Sequence, residues 1–325
     1  MPTPLRLGLI GAGRWGKVYL RTLAGLSDRC RLTHLCTRDP RNAALVPYPV
    51  TVVNEWRALI RAACDAVIIA SPTPMHPEMV EACVSAGKPC LVEKPLCCDL
   101  ATAERLHERV QAAGVPVLVN HIHLFNDVYR ALKQAIDREG EPVRMILAEG
   151  MGLGPFRTDT PALWDWAPHD VSVCFDLLGQ APSRADALAG PCGQDGTPEL
   201  VSLRLDFSDG ACAWIHAGRL SPWRRRTLSV YTDHRLYVWD EFAPEPLSLL
   251  PFDSAARAGA DRPETLTRTP LVWTSAGSPM EHLLTSFVRG LSGGERRHFG
   301  TAMALEVTRW ISACERAMDA RRTHP

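Results

Sequence analysis

Three side chains of this sequence stand where they could do chemistry. Lys94 leaves an apolar run in CLVEKPL, between Glu93 and Pro95, and Asp165 and His169 lie four residues apart in WDWAPHD. A lysine at the exit of a buried strand, if desolvated, can exchange a proton with a substrate hydroxyl. Spacing of four puts Asp165 and His169 on one face if their turn is helical, although Pro168 works against a helix there. An aspartate near a helix start is also an ordinary cap, and a histidine can satisfy a core hydrogen bond, so the pair alone reads either way. Trp164, beside Asp165, joins the pair as a candidate substrate contact.

A second constellation binds rather than reacts. LRLGLIGAGRWG is an apolar run followed by Gly11, Gly13 and Gly16 and then by apolar residues at helical spacing. Gly11 suits a tight turn, Gly13 lets the backbone approach a pyrophosphate, and Gly16 lets the helix pack closely on its strand. The helix N-terminus, with Arg14 and Trp15 in its first turn, then faces the phosphates of a dinucleotide. About 20 residues further on, where NAD sites carry an acid for the ribose, the chain reads Cys36-Thr37-Arg38. A neutral Thr37 with a guanidinium beside it suits a ribose phosphate, so NADP is favoured; Asp39 keeps NAD possible. The loop after the next strand supplies Ser71, Pro72, Thr73 and His76, and Glu93 and Lys94 reach the same carboxyl edge, where such sheets bind ligands.

These residues need a scaffold to hold them. Up to about residue 120, apolar runs alternate with helical stretches, which implies a doubly wound parallel sheet over residues 1–122. Gly87 and Gly114, each followed within two residues by proline, mark helix ends. Beyond, in residues 123–325, two hairpins are expected: ELVSLRLDF with ACAWIHAGRL around Ser208-Asp209-Gly210, and RTLSVYT with RLYVWDE around Asp233-His234. They predict an α/β domain with a largely antiparallel open sheet. Residues 243–280 read as a long surface excursion, followed by two closing helices.

Composition narrows the partners. The chain has 325 residues, is 46% hydrophobic, and balances 36 basic against 36 acidic residues. Without basic excess, nucleic acid and anionic membranes are not expected partners. No run approaches the roughly 18 apolar residues of a membrane span, and MPTPLRLGLIGAG shows no basic n-region followed by a cleavage site, so secretion is not expected. The eleven cysteines are scattered in apolar segments such as those of Cys64, Cys83, Cys90 and Cys174, which predicts buried thiols in a reducing cytoplasm. Cys97-Cys98 and His121-x-His123 join no spaced ligand set, so no metal is expected.

GLIGAGRWG, SPTPMH, VEKPL and WDWAPHD together resemble the Gfo/Idh/MocA family of nicotinamide-dependent oxidoreductases, over about residues 5–320. The resemblance implies Lys94 and His169 as the proton-handling pair, with Asp165 orienting substrate or His169, and a cis Lys94-Pro95 bond. It implies hydride exchange with a carbinol carbon of a sugar, polyol or nucleotide-linked sugar, and a homodimer or homotetramer formed through the second sheet. Alternatives on the same fold are an imine or dihydrodiol reductase, an NAD-dependent glycoside hydrolase, and a binding protein with a dead site. His121 and His123, at the domain junction, are candidate substrate contacts; His123 takes the place of an arginine in the family pattern.

Overall fold

The structure, a computed structural model, describes residues 3–251, 268–296 and 298–323, and these form two compact units. The first takes residues 1–122 and 277–308, the second 123–276 and 309–325.

In the first unit, strands β1 (Leu5–Ile10), β2 (Cys30–Cys36), β3 (Thr51–Val53), β4 (Ala66–Ile69), β5 (Cys90–Val92) and β6 (Val117–Val119) make one sheet in the order β3-β2-β1-β4-β5-β6. Every pairing is parallel. Between them run helices α1 (Arg14–Ala24), α2 (Trp56–Arg61), α3 (His76–Ser85) and α4 (Leu100–Ala113). Helices on both faces explain why β4, β5 and β6 are buried at every residue and read as unbroken apolar runs. The strand order reverses between β1 and β4, so the connections leaving their carboxyl ends part and open a crevice there.

Residues 277–308 count with this unit although they follow the second one in sequence. Helix α7 (Pro279–Leu291) packs on α1, and Arg29 donates to Thr285 Oγ1 at 3.3 Å. The Gly300 amide extends the edge of β6 through a bond to the Val117 carbonyl, and the Thr301 hydroxyl meets the His107 ring at 2.8 Å.

The second unit begins with α5 (Asp127–Glu139), β7 (Met145–Leu153) and α6 (Ala162–Leu178). Strands β8 (Arg184–Ala189), β9 (Leu200–Asp206), β10 (Cys212–Gly218), β11 (Leu220–Tyr231), β12 (Arg235–Asp240), β13 (Leu247–Pro251) and β14 (Thr269–Pro270) follow, and α8 (Ala302–Thr323) closes the chain. The sheet order is β14-β13-β12-β11-β7-β10-β9-β8, antiparallel except for β7 with β10. Both expected hairpins are present, as β9–β10 and β11–β12. The expected surface excursion at 243–280 is corrected in part: Leu247–Pro251 pair with β12 as a ladder strand, with Leu247 and Ser248 buried, while residues 252–267 lie outside the described residues.

Alternation fixes the faces of this sheet. Val201, Leu203, Leu205, Ala213, Ile215 and Ala217 point to the α6 side and are buried; Arg204, Trp214 and Leu188 stand exposed. Among the described residues no helix is long and apolar enough to cross a membrane.

Candidate active site

The glycine loop has the geometry that its residue types demand. Gly11 adopts φ +95°, and a Cβ there would strike the Ala70 carbonyl; a Cβ on Gly16 would land on the Gly11 carbonyl. Gly13 differs: a Cβ would meet nothing within 4 Å among the described residues, so the loop face ahead of α1 is open to that extent. Among the described residues no side chain caps α1, whose first-turn amides and dipole therefore point outward at the crevice, with Arg14 exposed beside them. These residues fit the pyrophosphate of a dinucleotide.

At the end of β2, Asp39 is already committed. Its carboxylate caps the following short helix and accepts from Arg41 at the backbone N, Nε and Nη2 at 2.8 to 3.1 Å, which holds the acid below its ordinary range. Thr37 faces the same turn, its hydroxyl accepting from the Asp39 amide at 3.2 Å, and Arg38 is exposed.

The exits of β4, β5 and β6 bring Ser71, His76, Glu93, Lys94, Asn120 and His121 to one edge of the sheet. Not all of them face outward. Glu93 is buried, its Oε1 taking bonds from Tyr19 of α1 and from Asn120 at 2.7 Å each; burial pushes its pKa up, against the pull of these donors and of Lys94. His76 is buried too, with Nε2 2.9 Å from the Ser71 carbonyl and Nδ1 2.8 Å from the Pro95 carbonyl. Both ring nitrogens thus face backbone carbonyls. Lys94 is half-buried, and the Lys94-Pro95 bond is cis.

His121 is a buried base with no hydrogen-bond partner on either ring nitrogen among the described residues. Burial first, then the positive charges of His298 and Lys94, push its pKa down to about 3. The site therefore favours the neutral imidazole.

In the second unit, α6 runs through Pro168 and places Asp165 one turn before His169. Asp165 lies in the first turn, where the helix dipole favours its charge, and Arg157 reaches it at 3.3 Å while holding Asp159 by a bidentate pair at 2.7 and 2.9 Å. The His123 ring meets His169 edge-on at 4.8 Å between centroids, and its centroid lies 5.7 Å from that of Trp239. Asp170 pairs with Arg226 at 2.6 Å inside the unit and anchors this part of α6 to β11. Trp164 turns inward instead: it is 1% exposed, and its indole donates to Glu315 at 2.9 Å. A tryptophan so enclosed supports α6 rather than touching a substrate. Sequence reasoning missed Arg157, Trp239 and Tyr19; Arg157 alone carried a signal, in its spacing of two from Asp159.

A Rossmann sheet with an open glycine loop and a lysine at its carboxyl edge defines the class of dinucleotide-dependent oxidoreductases. The model of the Gfo/Idh/MocA oxidoreductase family, described as an NAD-binding Rossmann fold, matches residues 5–121. Inositol 2-dehydrogenase of Mycolicibacterium gilvum is 26% identical over 321 residues, covering 96% of this chain and 83% of that protein. Myo-inositol dehydrogenase Hyg17 of Streptomyces leeuwenhoekii is 33% identical over 235 residues, covering 67% and 71%. A solved protein of Magnetospirillum magnetotacticum is 35% identical, with a TM-score of 0.85, covering 96% of this chain and 99% of that one. The chain belongs to the Gfo/Idh/MocA oxidoreductase family.

Proposed function

We propose that the chain is an NAD(P)-dependent dehydrogenase that moves a hydride between the nicotinamide and a carbinol carbon of a sugar or polyol, with NADP as the favoured cofactor. The observation that carries the reading is Lys94 at the carboxyl edge of the sheet beside an open glycine loop. The bound nicotinamide supplies the hydride chemistry; the chain binds, orients and manages one proton. Gly11, Gly13, Arg14, Trp15 and Gly16 hold the pyrophosphate, and Ser71, Pro72 and Thr73 line the same crevice. Thr37 and Arg38 take the ribose phosphate, a role favoured by the commitment of Asp39 to Arg41. On the family resemblance, Lys94 and His169 handle the proton of the reacting hydroxyl, Asp165 orients the substrate or His169, and His121 and His123 contact the substrate. A polyol is supported by the inositol dehydrogenase relatives. The exposed sheet face with Leu188 and Trp214 suits a homodimer or homotetramer.

The test is nicotinamide absorbance on mixing the protein with myo-inositol and either NADP or NAD. Reduction of one cofactor is expected; bound cofactor with no net absorbance change during sugar turnover would instead mean a hydrolase on this fold. Arg38→Ala is expected to weaken NADP by about tenfold or more while NAD changes little, as for loss of a charge-assisted phosphate contact. Equal loss for both cofactors returns Arg38 to the ordinary surface.

A further inference from the structure

We infer that His76 is a positioning residue for Lys94, bridging the carbonyls of Ser71 and Pro95 and so tying the turn after β4 to the residue next to the lysine. The ring sits at the start of α3, 1% exposed, with its nitrogens 2.9 and 2.8 Å from those two oxygens. A carbonyl oxygen only accepts, so both bonds form together only when both ring nitrogens carry protons; a neutral ring keeps one and turns a lone pair on the other. An amide side chain can replace one bond at most, and an apolar ring replaces neither.

The bridge matters because of what lies between its ends. On the other flank of Lys94, the Glu93 carboxylate is held by Tyr19 and Asn120. Both neighbours of the lysine thus face a buried partner inside the unit, the Glu93 carboxylate Tyr19 and Asn120, and the Pro95 carbonyl the His76 ring. Positioning of this kind is what proton transfer requires, since reach and angle decide the rate before acidity does. His76 touches neither reacting atoms nor cofactor; it acts through Pro95. The functional meaning rests on the reading of Lys94 given above, but the bridge itself is testable without turnover.

The chain contains four lysines, Lys17, Lys88, Lys94 and Lys133, so reductive methylation mapped by peptide mass spectrometry reads Lys94 with Lys17 and Lys133 as internal controls. The full-length protein is compared with His76→Phe and His76→Gln. In His76→Phe, amide exchange across residues 93–98 is expected to rise by about tenfold or more, because local opening follows the bonds that hold a segment closed. Lys94 methylation rises with it, exchange in α4 and labelling of Lys17 and Lys133 stay at wild-type rates, and His76→Gln falls between. Unchanged exchange over 93–98, an unchanged or slower Lys94 rate, or a rise shared by α4 and all four lysines would overturn the assignment. Should His76→Phe fail to fold, His76→Gln decides by the same criteria. Failure here leaves the role of Lys94 standing, since that is decided by replacing the lysine itself.

Discussion

Lys94→Ala lowers turnover by about a hundredfold or more while cofactor affinity stays within a few fold, the range expected when a general acid or base is removed. The two effects separate because different parts of the first unit supply them. The open glycine loop and the first-turn amides of α1 serve the pyrophosphate, and neither involves the lysine. Lys94→Arg is the sharper variant: it keeps a positive charge but cannot give up a proton at neutral pH. If charge alone were the contribution, arginine would restore most of the rate; if proton exchange is, arginine stays near the alanine value. Steady-state kcat with the best substrate, together with the Kd of reduced cofactor by fluorescence, checks both. Wild-type turnover in Lys94→Ala removes the lysine from the mechanism.

What the sequence made legible is the edge of the sheet, and what it left dark is which way side chains turn there. GLIGAG and the apolar runs that follow specify the order of strands and helices, because a strand buried on both faces has little choice of composition. From that order alone Ser71, His76, Glu93, Lys94 and His121 must gather at one edge. Glu93 and His76 were expected to meet the cofactor, yet both turn inward to partners far away in sequence, Tyr19 and Asn120 for one, Pro95 for the other. A motif records position, whereas orientation is settled by tertiary partners. Trp164 behaves alike, its indole drawn to Glu315 from the last helix.

The same reason explains the return of residues 277–308 to the first unit. Helix α7 is amphipathic in the ordinary way and carries a capping box at Ser278 and Glu281, so its existence is readable. The surface that it covers is not, because an apolar stripe does not say which sheet it will meet. In the second unit, by contrast, the hairpins were readable in detail: short turns with Gly210 or Asp233 between alternating strands leave one register. Pro168 argued against a helix around Asp165 and His169, but α6 continues through it, and its dense burial shows packing overriding local propensity.

His121→Leu is expected to flatten the acid side of the stability profile. Unfolded, the ring titrates near 6.5; folded, near 3, with burial as the leading cause. Between those values the unfolded chain binds a proton that the native state excludes, so this penalty is absent above 6.5 and grows as pH falls towards 3. From pH 7 to pH 5 the wild type therefore loses about 2 kcal/mol that the variant keeps, read as the difference between two urea-unfolding series. Glu93, whose shift runs the other way, is common to both proteins and drops out of the difference. Parallel profiles would mean that His121 accepts its proton in the folded state. At neutral pH the variant is no less stable, since leucine removes two buried nitrogens that lack partners among the described residues. A buried base without a hydrogen-bond partner among the described residues, in the field of Lys94, is one that the fold alone does not explain. The accompanying expectation is thus that His121→Leu gains stability in acid and loses turnover, and a variant that gains the first without losing the second would make His121 a core residue only.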